Sequence, residues 1–237
     1  RVLFRSVVGA HEWRKKGVAM PVLGKEARIY PHYGVFSPVR GEYVALVNEA
    51  PLPQGARELA FDIGTGTGGL AALLAKRGVR RVVATDMSPR ALSCAQDNEQ
   101  RLGLGDKIAL QQTDLFPEGQ AALIVCNPPW VPARAVTTLE HAVYDENSAM
   151  LRGFLSGLRA HLTPEGEGWL ILSDLAEHLG LRSREELMGW IDAAGLYVVY
   201  RMDTEPTHGK AQDSSDALHA ARAAEVSSLW RLKAKAA

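Results

Sequence analysis

Cysteine is scarce in this chain, long apolar runs are missing, and neither sign of charge dominates. Cys94 and Cys126 are the only cysteines among 237 residues. Two thiols cannot make a disulfide framework. With no secretory segment they read as free thiols of a reducing compartment, so a cytoplasmic location is expected. No stretch reaches the roughly 18–20 apolar residues that a membrane-spanning helix needs. The chain opens on "RVLFRSVVGA", whose apolar pieces are too short for a signal sequence. Lys plus Arg equals Asp plus Glu, at 27 each. A whole-molecule polycation for nucleic acid is therefore absent, which leaves room only for a local basic patch. The seven histidines are scattered, with no H-E-x-x-H and no Cys/His pair at ligand spacing, so no metal site is expected.

The rest of the composition is that of an ordinary globular domain, 46% hydrophobic and 23% charged. "RELAFDIG" (Arg57–Gly64) is an apolar run ending at Gly and reads as a buried strand. Leu70–Arg77 reads as a helix stopped by Gly78, and "RRVVATD" (Arg80–Asp86) as a second strand. Ser88, Pro89 and Gly103 supply the cap, first turn and stop of the next helix. "KIALQQTDL" and "AALIVCN" (Ala121–Asn127) are read as the third and fourth strands, Asn147–Leu162 as a helix, and Gly168–Asp174 as the fifth strand. "SREE" opens a further helix from Ser183 with a capping-box pattern. "LYVVYRM" and "SSLWRLK" close as strands. Alternation at this spacing predicts an α/β fold with a doubly wound, mostly parallel sheet whose ligand lies at the carboxyl ends of the strands. Residues 1–50 read as an N-terminal extension of hairpin and helix, and residues 51–237 as the cofactor-binding domain.

Gly64, Gly66 and Gly69 fit G-x-G-x-x-G between a strand and a helix. Missing side chains let backbone approach a ligand, and the helix N-terminus offers free N–H groups. Asp86 follows about 20 residues on, where a carboxylate can take two ribose hydroxyls; alone, it reads equally as a solvated strand-end acid. A nicotinamide dinucleotide also fits this much. Asp62 weighs against it, because a carboxylate before the first Gly repels a pyrophosphate and favours a cationic ligand. "VCNPPW" (Val125–Trp130) ends the fourth strand. It reads either as a Pro-Pro turn that stops a strand or as an acceptor site for a planar nitrogen.

"FDIGTGTGG" resembles the first motif of class I S-adenosylmethionine-dependent methyltransferases. The resemblance implies a seven-stranded Rossmann-like sheet, S-adenosylmethionine as cofactor and S-adenosylhomocysteine as product. It implies cofactor contacts from Asp62, Gly64, Thr65, Gly66, Gly69, Asp86, Met87, Asp114, Leu115 and Asn127. Asp114, in "TDLF", matches the acid that accepts the adenine amino group; its other reading is a turn cap. Asn127, Pro128, Pro129 and Trp130 resemble the tetrad of enzymes that methylate glutamine amides or the exocyclic amines of adenine and cytosine. In that role the Asn127 oxygen and the Pro128 carbonyl accept the substrate N–H groups, the prolines stiffen the turn, and Trp130 lies on the flat face of the substrate.

From about Arg28 to Gly195 the chain is similar to the HemK-like protein glutamine methyltransferases. Two departures leave the substrate open: Trp130 stands where that family usually has Tyr, and the family's N-terminal helical domain reads as missing or as replaced by the short basic stretch "HEWRKKG". The expected acceptor is macromolecular, a protein glutamine ahead of an adenine in ribosomal RNA. An oxidoreductase and a non-catalytic binding module are the rivals from other classes. Cys94 and Cys126 read as buried thiols. His208, with Lys210 in the same polar loop, reads as a solvated loop residue ahead of a substrate contact. Arg14–Lys16 reads as a solvated charge run or a contact for an acidic partner.

Overall fold

The computed structural model describes residues 14–36, 41–132, 145–205 and 224–236. A short hairpin pairs β1 (Val18–Ala19) with β2 (Arg28–Ile29). Helix α1 (Gly41–Glu49) follows. The main chain of elements is then β3 (Leu59–Ile63), α2 (Gly69–Lys76), β4 (Arg81–Asp86), α3 (Pro89–Leu102), β5 (Ile108–Gln112) and β6 (Ala121–Cys126). It continues with α4 (Ala149–His161), β7 (Leu162–Ser173), α5 (Leu175–His178), α6 (Arg184–Ala193), β8 (Leu196–Thr204) and β9 (Ser227–Ala234).

The seven long strands form one sheet in the order β5-β4-β3-β6-β7-β9-β8. Pairings from β5 through β7 are parallel, and β9 runs antiparallel to both β7 and β8. This is the doubly wound, mostly parallel sheet that the alternation predicts. Every residue of the central strand β6 is buried, as helix-covered parallel strands require. Met20, Ile29 and Tyr43 of the extension share one core with Phe61, Ile124 and Trp169 of the sheet.

Local chemistry sets most boundaries. Ser88 caps α3, and Gly103 ends it with a left-handed backbone. Ser183 and Glu186 close a reciprocal capping box on α6. Several boundaries differ from the sequence reading, among them the third strand, which ends at Gln112 rather than Leu115, and two have a clear physical cause. Helix α4 starts at Ala149 rather than Asn147, because Asn147 and Ser148 take left-handed backbone, φ 58° and 54°. Strand β7 starts at Leu162 rather than Gly168, because Leu162 pairs with Ala121 across a register shift. Tertiary pairing overrides the turn character of "TPEGEG" there.

The fold is wound outward in both directions from β3. The register sets Ile63 opposite both Thr85 and Cys126. The next residue of each strand is Gly64, Asp86 and Asn127. Three of the expected site residues therefore stand side by side at the switch point, where open α/β sheets bind ligands.

Candidate active site

The glycine loop is held from behind. Asp62 is 1% exposed, and its Oδ2 accepts from Thr65 Oγ1 at 2.7 Å and from the Ala71 amide at 3.0 Å. Burial pushes its carboxyl up to about 6, against the pull of those two bonds. The sequence reading gave Asp62 a direct attraction for a cationic ligand. The structure uses Oδ2 to shape the loop and fix the first turn of α2. Thr65 is also buried, and its amide donates to the Thr85 carbonyl at 2.8 Å.

Gly64 and Gly66 have φ of 70° and 56°, a backbone that side chains rarely adopt. A Cβ on Gly66 would meet nothing, so that face is open. A Cβ on Gly64 would collide with the methyl of Met150, which lies over the loop from α4. Gly69 makes only ordinary contacts. The close packing falls one residue earlier: Gly68 has φ 80°, and its Cβ position is 3.1 Å from Ala95 Cβ. Sequence spacing picks Gly69; the adjacent glycine in "GG" is the signal that marks Gly68.

Asp86 sits on the open rim of the loop. Its Oδ2 accepts from the Gly66 amide at 3.0 Å and its Oδ1 from the Ser88 amide at 2.9 Å. Burial raises its carboxyl, while those backbone donors hold it down. Each oxygen keeps lone-pair capacity for a hydroxyl. Met87 is 65% exposed beside it. Asp114 is exposed just past β5, and the Thr113 amide donates to the Asp86 carbonyl at 3.3 Å. Leu115 has φ 61°, and its carbonyl accepts from Thr85 Oγ1 at 2.6 Å. Asp86, Met87 and Asp114 thus share one rim, with Leu115 under it.

The open face over Gly66, the two-oxygen acceptor at Asp86 and the exposed carboxylate at Asp114 fit the ribose and adenine of S-adenosylmethionine. The adjoining heads of β3 and β6 place Asn127 beside Gly64.

The Asn127–Trp130 turn differs from expectation at one residue. Trp130 is 9% exposed and packs edge-on against Tyr43 of α1, ring centroids 6.2 Å apart at 87°. Its indole N–H donates to Asn127 Oδ1 at 2.8 Å. Trp130 therefore braces Asn127 instead of presenting a flat face. The bond fixes which side of the Asn127 amide is oxygen and leaves that oxygen one further lone pair. Pro128 is buried and Pro129 half-buried. Sequence reasoning also passed over Asp145. Its amide donates to the Val131 carbonyl at 2.9 Å, and its carboxylate takes the Met150 and Leu151 amides at 2.9 and 3.1 Å. It ties the far end of the turn to α4.

Both thiols are buried. Burial pushes Cys94 up to about 11 and Cys126 well above its usual value. Neither is a nucleophile near neutral pH. Among the described residues no group of three or more His, Cys, Asp or Glu could hold a metal ion, and no helix is long and apolar enough to cross a membrane. His208 and Lys210 lie outside the described residues.

A release factor glutamine methyltransferase of Cereibacter sphaeroides is 33% identical over 151 residues, 57% of this chain and 51% of that protein. One of Thermosynechococcus vestitus is 30% identical over 191 residues, 74% of this chain and 62% of the relative. The chain thus spans about half to three-fifths of these relatives. A solved methyltransferase of Pyrococcus furiosus superposes with a TM-score of 0.61 over 97% of this chain and 98% of its own, at 18% identity, a likeness of fold. The methyltransferase small domain model matches residues 26–188, which include the hairpin strand β2, the glycine loop and the Asn-Pro-Pro-Trp turn. The chain belongs to the methyltransferase small domain family, within the class I S-adenosylmethionine-dependent methyltransferases.

Proposed function

We propose that this chain methylates a planar nitrogen of a macromolecule, and that the acceptor is a protein glutamine side chain. The observation that carries the reading is the Asn127–Trp130 turn at the head of β6, beside Gly64 at the head of β3. The names of the two glutamine methyltransferase relatives support the same acceptor.

An amide nitrogen is a weak nucleophile because its lone pair is delocalised. The residues at the turn answer that weakness by placement. The free lone pair of Asn127 Oδ1 and the Pro128 carbonyl accept the two N–H groups. They turn the nitrogen lone pair toward the Gly64 side and stabilise the positive charge that develops on it. Trp130 holds the Asn127 oxygen in place through its indole N–H. Pro128 and Pro129 remove backbone freedom from the turn. S-adenosylmethionine, when bound, supplies an electrophilic methyl group on a sulfonium. Asp86 and Asp114 hold the nucleoside end, and the proton leaving the amide passes to solvent without a strong base.

The test is to incubate methyl-labelled cofactor with the protein and a cell extract. Label should enter protein, and acid hydrolysis should release it as methylamine. Label lost to ribonuclease instead of protease would hand the acceptor role to an RNA base.

A further inference from the structure

We propose that the face formed by the N-terminal hairpin and the start of α3 is a docking surface for single-stranded nucleic acid. One nucleotide seats between Arg14, Tyr33 and Arg90. The proposal rests on surface residues away from Asn127 and holds for either acceptor, so its failure leaves the proposed acceptor intact.

Charge is the first support. The whole chain is neutral, but residues 14–36 carry Arg14, Lys15, Lys16, Lys25 and Arg28 against one carboxylate, Glu26. Some cations elsewhere are neutralised, among them Arg80 by Glu58, Arg184 by Glu177, Arg231 by Glu167 and Lys235 by Asp192. Arg14, Lys15, Lys25, Arg28 and Arg90 make no ion pair among the described residues. A row of unneutralised cations on a neutral protein calls for a polyanion.

Shape is the second. A groove of about 310 Å³ is lined by Arg14, His32, Tyr33 and Arg90. Tyr33 is 46% exposed and shares the lining of the groove with both arginines. His32 is anchored by Asp97 at 3.0 Å, and Arg90 Nη1 donates to the Tyr33 carbonyl at 3.3 Å, so the walls are held. A phenol ring offers a stacking face for a base, and flanking guanidinium groups take its phosphates. This combination serves single strands of any sequence. An acidic peptide would use the cations and leave the ring idle. The groove also adjoins the cofactor rim, because Arg90 lies two residues after Ser88, whose amide holds Asp86.

The probe is fluorescein-labelled U10, read by anisotropy at about 50 and 200 mM salt, with labelled deca-glutamate as the competing chemistry. U10 should bind and weaken as salt rises. The double variant Arg14→Glu/Arg90→Glu should lose at least about ten-fold and show a shallower salt slope. Tyr33→Ala should lose about ten-fold with the slope unchanged, while Tyr33→Phe binds as the wild type does. All variants should keep wild-type affinity for S-adenosylmethionine, which certifies their folding. The same measurement with dT10 separates RNA from DNA as the source. The proposal is overturned if U10 does not bind at low salt, or if binding ignores these substitutions. It is also overturned if deca-glutamate binds as tightly and Tyr33→Ala has no effect.

Discussion

Asp86 accepts two backbone amides with its two oxygens and still faces the open side of the loop. Hydrogen bonds to a charged acceptor are worth roughly 1.5–3 kcal/mol. Asp86→Ala should therefore weaken S-adenosylmethionine binding by about ten- to a hundred-fold, as read by calorimetry. Trp130 acts on the other side through one bond to Asn127. Trp130→Phe keeps the ring against Tyr43 and removes the N–H. Turnover should fall by about five-fold with cofactor affinity unchanged, since one neutral hydrogen bond is worth about 1 kcal/mol. Equal losses in both would give Trp130 a merely structural role. Glu99, under the loop on α3, supplies a pH dependence. It is 4% exposed, and its Oε1 has no hydrogen-bond partner among the described residues. Burial, with the charge of Asp62 nearby, pushes its carboxyl from 4.5 up to about 7. The folded chain thus binds this proton more tightly than the unfolded one. Stability from this group is greatest below the unfolded value and is lost as pH rises to about 7. Glu99→Gln should raise the melting temperature at pH 8 more than at pH 5. An equal shift at both would show that Glu99 is not the titrating group.

At the scale of elements, the antiparallel strand β9 is locked to β7 by charge as well as by pairing. Glu167 is buried and receives both Arg231 Nε and Nη2 at 2.8 Å, with Trp169 Nε1 at 3.0 Å. Burial alone would raise its carboxyl, but the bonds from Arg231 and Trp169 outweigh burial and hold it below the ordinary range. Arg231→Ala strands that carboxylate and should destabilise the chain by about 3–5 kcal/mol in denaturant unfolding. A loss under 1 kcal/mol would mean that water reaches the site. These elements also show what the sequence can tell. Ser88, Gly103 and the Ser183–Glu186 box act within a few residues, so α3 and α6 are legible from local chemistry. The head of β6 is legible because two prolines stop a buried strand. The start of β7 is not, because its pairing partner Ala121 is over forty residues away. The bracing of Trp130 is hidden for the same reason, since Tyr43 comes from α1.

At the scale of the whole molecule, outward winding from β3 divides the site in two. The register puts Asp86 on the β4–β5 side and Asn127 at the head of β6; in the proposed function Asp86 and Asp114 hold the methyl donor and Asn127 holds the acceptor. This division separates binding from transfer, and Asn127→Ala tests it most directly. Label transfer to protein and cofactor affinity should be measured on the same preparation. The division predicts that transfer is abolished, while affinity for S-adenosylmethionine stays within a few-fold of wild type. Transfer at near wild-type rate would contradict it and reduce Asn127 to a turn residue.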